Sequence, residues 1–249
     1  MRGNIFLIGI GPGNRDYLTG EAKKTLEKVD IIIGYKLYIE LIEEFIQDTR
    51  LVKGQMTKEL ERVNLAIDHA LEGKDVALIS SGDTGVYGMA GPLLAELDKR
   101  ELKTEKKPAV RVIPGVTALL AAAAKLGAPL MNDFAVISLS DLLVPWEEIE
   151  KRIKSIAKTD FVIGVYNPSS KRRKENFARF REILLKERDG ITPVGLVWNA
   201  GREKERVLKT TLEDLPEEKV DMLTTVIVGN SKSYISDKGD FITPRGYQQ

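Results

Sequence analysis

Three glycine-rich stretches hold the residue types and spacings on which chemistry could be built. Gly9, Gly11, Pro12 and Gly13 end an apolar run that opens the chain, and Asp16 and Thr19 follow them into an amphipathic helical pattern. Ser80-Ser81-Gly82-Asp83-Thr84-Gly85-Val86-Tyr87-Gly88 ends a second apolar run, and Ile113-Pro114-Gly115-Val116-Thr117-Ala118 ends a third. A buried strand entering a glycine turn and then a helix is a ligand cradle at the carboxyl end of a parallel sheet. Glycine suits such a turn because no Cβ holds a ligand or a neighbouring backbone at a distance.

The first turn does not fit the phosphate-binding patterns. A dinucleotide fingerprint requires G-x-G-x-x-G, but Asn14 stands at the third glycine and Pro12 removes a backbone donor. The acidic residue expected about 20 positions on should end the second strand, whereas Asp30 precedes it. There is no Gly-Lys-Ser/Thr of a Walker loop. What remains is a turn for a ligand with little phosphate, or a plain tight turn. Asp83 reads as an acceptor for a ligand amine or ribose, or as an Asx-turn closing on its own backbone. Thr117 and Ala118 open a helix whose free N–H groups and dipole suit a carboxylate, or Thr117 caps that helix.

Composition narrows the chemistry. The 249-residue chain has no cysteine and one histidine, His69, inside a helical pattern. That excludes disulfides, thiolate nucleophiles, cysteine-ligated zinc and multi-histidine metal sites, and disfavours a Ser-His-Asp triad. Carboxylates, hydroxyls and backbone groups must do the work, or the substrate must arrive activated. The net charge of +1 gives no field toward nucleic acid or membrane. The longest apolar stretch, Val116 to Met131, is broken by Lys125, Gly127 and Pro129. With no signal peptide in sight, the expected compartment is the cytoplasm.

The elements that must position these residues alternate. Strand-like runs at 4–10, 30–33, 50–53, 75–80 and 109–113 are separated by helical patterns at 19–28, 36–46, 57–72 and 89–99, with 115–126 after the last. This predicts an α/β domain with a mostly parallel, doubly covered sheet. Gly127-Ala128-Pro129 is the expected boundary, dividing 1–128 from 129–249. Beyond it, strands at 133–139, 160–166, 193–199, 205–211 and 222–229 surround helices at 146–157 and 173–188. The closely spaced last strands imply some antiparallel pairing, hence a second α/β domain with a mixed sheet. Asn167 and Asn199 follow two of these strands, and Lys171-Arg172-Arg173-Lys174 opens a helix where the dipole disfavours cations. A solvated helix face and an acidic ligand both account for that run.

Taken together, GIGPGNRDYLT, SGDTGVYGMA, IPGVTALLAAAAKLGAPL, DFAVISLSDLLVPW, YNPSSKRR, WNAGR, TTVIVGNS and TPRGY occur in order. On these blocks the chain resembles the tetrapyrrole methylase family, and within it the precorrin-3B C17-methyltransferases. The resemblance covers essentially the whole chain. It implies two α/β domains, a homodimer, and S-adenosylmethionine held in a cleft between domains. It implies methylation of C17 of a corrin precursor, cobalt-bearing or metal-free, with contraction of the macrocycle, in cobalamin biosynthesis. Cofactor contacts would fall on Gly9, Gly11, Pro12, Ser81, Gly82, Asp83, Val86, Thr117, Ala118, Asn167, Asn199 and Ala200. A sulfonium methyl donor is already activated, so no protein-bound metal is expected, in accord with the residue inventory.

Ring contraction also moves protons and stabilises an oxygen function. Asp16 is the candidate general base, with a capping role ahead of Thr19 as its structural alternative; Ser138, Ser140 and Asp141 are the other candidates. Arg172, Arg173, Arg202 and Arg245 would bind the substrate's carboxylates, because guanidinium pairs with carboxylate bidentately. Three positions depart from the family pattern: Thr84 stands for a usual proline, Asn132 for a common histidine and Trp198 for a common arginine. Asn132 leaves no histidine for proton transfer there. The competing readings are a sister enzyme acting on another corrin, a protein or RNA, a non-catalytic nucleotide-sensing module, and, more weakly, a dehydrogenase.

Overall fold

The computed structural model describes residues 2–46, 49–55, 58–100, 102–103, 107–170, 175–216 and 220–247. In order, its regular elements are β1 (Asn4–Gly9), α1 (Gly20–Leu26), β2 (Ile31–Tyr35), α2 (Lys36–Glu40), β3 (Arg50–Gly54), α3 (Glu59–Leu71), β4 (Val76–Ser80), α4 (Ala90–Lys99) and β5 (Ala109–Ile113). There follow α5 (Ala118–Leu126), β6 (Gly127–Ala128), β7 (Phe134–Ser138), α6 (Trp146–Ala157), β8 (Val162–Tyr166), α7 (Glu175–Leu185), β9 (Pro193–Trp198), β10 (Arg206–Thr211), β11 (Thr224–Val228), β12 (Tyr234–Ile235) and β13 (Phe241–Ile242). Short 3-10 turns, Arg15–Tyr17 and Glu43–Phe45, break the chain after β1 and α2. The helix expected over 36–46 is thereby divided. By contacts the chain forms two compact units, Met1–Ala118 and Leu119–Gln249.

The first unit is an all-parallel sheet in the order β3-β2-β4-β1-β5. Its strands read as continuous apolar runs because both faces are covered. Ile31 and Ile33 pack with Val63, Ala66, Ile67 and Ala70 of α3 and Leu93 and Leu97 of α4. Ile32, between them, faces Ala22 and Leu26 of α1 and Ile39 of α2. Each such isoleucine, leucine or valine contributes about 1.5–3 kcal/mol through burial. The crossovers leave β4, β1 and β5 side by side, so the three glycine turns all emerge from neighbouring strand ends.

The second unit has a mixed sheet ordered β10-β9-β11-β8-β7. β7 and β8 are parallel, β11 is antiparallel to β8 and β9, and β10 is antiparallel to β9. β7, β8 and β9 therefore run in one direction and end on one edge. One face packs on α6 and α7 around Phe177, Phe180, Leu196 and Val226. α5 takes the other face, and this explains why the compact units divide at Ala118 rather than at Gly127-Ala128-Pro129. A Cβ on Gly164 of β8 would stand 2.6 Å from Leu119, and one on Gly195 of β9 would stand 2.4 Å from Leu126. The bare glycines let this helix seat on the second sheet. The expected boundary is itself strand β6, which joins β13 and β12 in a small three-stranded sheet.

A half-buried cation fastens the far edge of this unit. The Arg188 guanidinium donates to the carbonyls of Gly229 (2.7 Å), Phe161 (2.8 Å), Thr159 (3.0 Å) and Ile156 (3.4 Å). It ties the end of α6 and the approach to β8 to the end of β11. Burial pulls its pKa down, and the Asp160 carboxylate opposes that shift.

Candidate functional site

In the first unit the three turns meet through their glycines. Gly11 N–H donates to Gly82 O (3.1 Å) and Gly82 N–H returns a bond to Gly11 O (2.7 Å), an isolated antiparallel bridge between the first and second turns. Both residues have positive φ, +75° and +68°, where glycine is unstrained. A Cβ on Gly115 would lie 2.2 Å from Gly82 O and 2.6 Å from the Gly9 carbonyl carbon. A Cβ on Gly9 would lie 2.6 Å from Gly115 N. The junction exists because these positions carry no side chain.

Asp83 knits it further. One carboxylate oxygen accepts Gly85 N–H (2.8 Å), closing the Asx-turn that the sequence suggested, and the other accepts Gly115 N–H from the third turn (2.9 Å). With Gly115 N–H engaged there, the helix expected from 115 starts only at Ala118. Thr84, in place of the usual proline, is fully buried, with its hydroxyl 3.3 Å from that of Ser80. Ser80 Oγ in turn accepts Met89 N–H (3.1 Å), so the substitution keeps the loop fastened. Gly9, Gly11, Gly82, Asp83 and the Gly115 turn leading to Thr117 and Ala118 are thus brought together. Pro12 and Ser81 are their chain neighbours and Val86 is exposed on the same loop. Gly115, which clamps all three turns, was the site residue that sequence reasoning passed over, although the Pro-Gly after a strand was its signal.

The junction's walls are backbone and small side chains. Such walls suit binding and orienting a ligand rather than attacking it, and a flat, glycine-lined cradle fits a nucleoside-bearing donor. Asp16 lies in the 3-10 turn just after the first loop. Its side chain is exposed, and its N–H donates to Asn14 Oδ1 (3.1 Å). Helix α1 is capped by Thr19, whose Oγ1 accepts Ala22 N–H (3.1 Å), so Asp16 is not the cap.

In the second unit Ser138 ends β7, while Asn167 and Asn199 follow β8 and β9, all on one sheet edge. Asn167 Nδ2 donates to Ser138 Oγ (3.0 Å), and Ser140 N–H also reaches that hydroxyl (3.3 Å). Asn167 and Asn199 both adopt positive φ, +50° and +53°, which asparagine tolerates better than most residues. Tyr166 contributes a contact the sequence did not predict: its hydroxyl accepts Leu119 N–H in the first turn of α5 (2.9 Å). Across the intervening β11, Asn199 N–H bonds Leu223 O (3.0 Å), and its carbonyl accepts Arg202 N–H (2.8 Å) beside buried Ala200. Glu205 braces this turn by accepting Gly201 N–H (2.6 Å) and pairing with Lys125 (3.0 Å). Burial alone would raise the Glu205 pKa, but these two partners hold it below the usual value. Trp198, the arginine replacement, is buried, with the Arg206 guanidinium 4.0 Å over its ring.

Other expectations do not converge on these clusters. Arg245 is exposed in a separate segment, Asp141 is exposed directly after Ser140, and Arg172 and Arg173 lie outside the described residues. Asn132 bonds its neighbour Asp133 N–H (2.8 Å). His69 pairs with Glu72 (3.0 Å) on α3, a helix-face residue. Among the described residues no three His, Asp or Glu side chains gather as metal ligands, and no helix is long and apolar enough to cross a membrane.

A family model described as Tetrapyrrole (Corrin/Porphyrin) Methylases matches residues 4–216. A Salmonella typhimurium protein named "Probable cobalt-factor III C(17)-methyltransferase" is 50% identical over 243 residues, covering 98% of this chain and 99% of that one. A Priestia megaterium "Cobalt-factor III methyltransferase" is 46% identical across the whole chain, which spans only 46% of that protein's length. The crystal structure of the methyltransferase CobJ superposes with a TM-score of 0.91 at 36% identity, covering 97% of this chain and 100% of that one. Uroporphyrin-III C-methyl transferase from Thermus thermophilus, solved with S-adenyl homocysteine, superposes at 0.70 with 26% identity, covering 91% and 92%. The chain belongs to the tetrapyrrole methylase family.

Proposed function

We propose that this protein is an S-adenosylmethionine-dependent methyltransferase that methylates C17 of cobalt-factor III, with contraction of the macrocycle, in cobalamin biosynthesis. The observation that carries the donor assignment is the junction of Gly9, Gly82 and Gly115, a backbone cradle at adjacent parallel strand ends. The substrate assignment follows the end-to-end match to the Salmonella relative. Gly9, Gly11, Pro12, Ser81, Gly82, Asp83, Val86, Thr117 and Ala118 hold the donor, with Asn167, Asn199 and Ala200 from the second unit. When bound, the donor supplies a methyl group already activated by its sulfonium. The protein's task is alignment, which supplies roughly 7–11 kcal/mol of barrier reduction when the geometry is good. Asp16 acts as general base, while Ser138, Ser140 and Asp141 manage protons and oxygen during contraction. Arg172, Arg173, Arg202 and Arg245 bind the substrate's carboxylates. The enzyme works as a cytoplasmic homodimer without nucleic acid, which light scattering of the purified protein tests for oligomeric state.

The deciding experiment is an anaerobic incubation with S-adenosylmethionine and either cobalt-factor III or metal-free precorrin-3B, read by mass and absorbance. The expected result is a gain of one methyl on the cobalt substrate. Methylation of the metal-free substrate alone would reassign the substrate. If neither is methylated while S-adenosylhomocysteine still binds, the C17 reading is overturned in favour of a sister substrate or a binding module.

A further inference from the structure

The hairpin between β9 and β10 carries an arginine whose N–H donors engage no described residue. Arg206 stands across from Trp198 in the antiparallel register, at the base of the turn that holds Asn199, Ala200 and Arg202. Its guanidinium carbon lies 4.0 Å over the Trp198 ring, and Trp198 is only 5% exposed. Beyond that stack Arg206 makes no hydrogen bond or ion pair with any described residue, although it is exposed. The nearby acids are committed elsewhere. Glu205 accepts Gly201 N–H and pairs with Lys125. Asp221, in the turn leading into β11 on the other side of β9, accepts Leu223 N–H (2.9 Å) and the Thr224 hydroxyl (2.7 Å). Arg179 makes the contrast: its guanidinium lies 5.7 Å over Trp146, yet it pairs with Glu175 (3.1 Å).

A ring beneath a guanidinium occupies its flat face and leaves the five N–H donors, which lie in the plane, pointing outward. The stack also holds a long side chain in place, so less freedom is lost when an anion arrives. The ring under Arg206 belongs to the last residue of β9, on the sheet edge that also bears Ser138 and Asn167. Resting on the functional reading above, we propose that Arg206 is a substrate-binding residue whose guanidinium receives a carboxylate on the rim of the tetrapyrrole. The pair is two-pronged, one N–H to each carboxylate oxygen, and the Trp198 ring aims the fork. Arg202, on the same hairpin, is assigned the same class of ligand, so this turn carries two cations for one acidic rim.

The test uses the full-length protein saturated with S-adenosylhomocysteine and titrated with cobalt-factor III by absorbance, alongside calorimetry of S-adenosylhomocysteine alone. Arg206→Gln is expected to weaken tetrapyrrole binding on the order of tenfold, the size of one charge-assisted hydrogen bond, with donor affinity within about twofold of wild type. Arg206→Lys keeps the charge without the planar fork and is expected to fall between the two. The gap between wild type and Arg206→Gln is expected to narrow in strong salt. Arg179→Gln, which removes the paired arginine over Trp146, is expected to bind tetrapyrrole normally. Unchanged tetrapyrrole affinity in Arg206→Gln overturns the assignment, even with a lower melting midpoint, because the stack then serves the fold alone. A parallel loss of donor affinity overturns it too, since the guanidinium would then act on the donor. Wild-type protein that binds no tetrapyrrole overturns the functional reading and this assignment with it.

Discussion

Replacing Gly115 by alanine tests the junction at its tightest point. The added methyl would sit 2.2 Å from Gly82 O. Ordinary van der Waals separation is about 3.5 Å, so the two backbones must part by roughly 1.3 Å. Gly82 O cannot retreat freely, because it accepts Gly11 N–H at 3.1 Å. Moving it loosens the bridge between the first and second turns and pulls Gly115 N–H from Asp83. Overpacking of this kind costs about 1–3 kcal/mol, and each backbone hydrogen bond lost adds about 1 kcal/mol. With two bonds lost the total is about 3–5 kcal/mol, so for a chain of this size the melting midpoint should fall by about 6–20 °C. Displacement by about 1 Å in a positioning site costs on the order of a hundredfold in rate. Calorimetry with S-adenosylhomocysteine should therefore show affinity reduced at least about tenfold. Gly91→Ala is the matched control, since Gly91 lies in α4 with nothing within 4 Å of its added methyl. That change should leave donor affinity intact and stabilise the helix by up to about 1 kcal/mol. Wild-type donor affinity in Gly115→Ala would refute the reasoning that the three-turn junction is the donor cradle.

Further outcomes follow from other contacts. Asp16→Asn should lower turnover by about 10²–10⁴ while leaving S-adenosylhomocysteine affinity nearly unchanged; normal turnover removes Asp16 from the mechanism. Arg188→Met strands the carbonyls of Gly229, Phe161 and Thr159 and should cost about 3 kcal/mol, read as a lower midpoint in thermal melts. A melt within 1 °C of wild type would show that water replaces the guanidinium. Glu205 has a folded pKa below its ordinary value of 4.5, so its stabilisation is fully present above about 4.5 and is lost as pH falls through the lowered value. Glu205→Gln should thus melt earlier than wild type at pH 7, with the difference closing in strong acid; a pH-independent difference would trace it to packing alone.

Much of the first unit was legible because its signals are local. Apolar runs such as Ile31-Ile32-Ile33 and punctuation by Gly-Pro-Gly or Pro-Gly identify strands and turns without knowledge of their neighbours. What the sequence could not display was adjacency. Gly9 meets Gly115 only because the crossovers place β5 next to β1. The compact units divide at Ala118 for the same reason: α5 is seated by Gly164 and Gly195, far along the chain, while the Gly-Ala-Pro after it looks like a linker. β6, β12 and β13 are two residues each, too short to show any alternation.

The seating of α5 has a consequence for synthesis. The sheet that frames the donor turns is complete once β5 has left the ribosome, so the first unit can close early. The alanine-rich helix beyond it has no complete seat until Gly195, about 80 residues after β5, joins Gly164. At ~5–20 residues per second that delay is roughly 4–16 s. Throughout it, Leu119, Ala122 and Leu126, fully or almost fully buried in the finished protein, remain in water on the nascent chain. Slow translation through the second sheet would lengthen that exposure, and α5 is the segment a chaperone would find first.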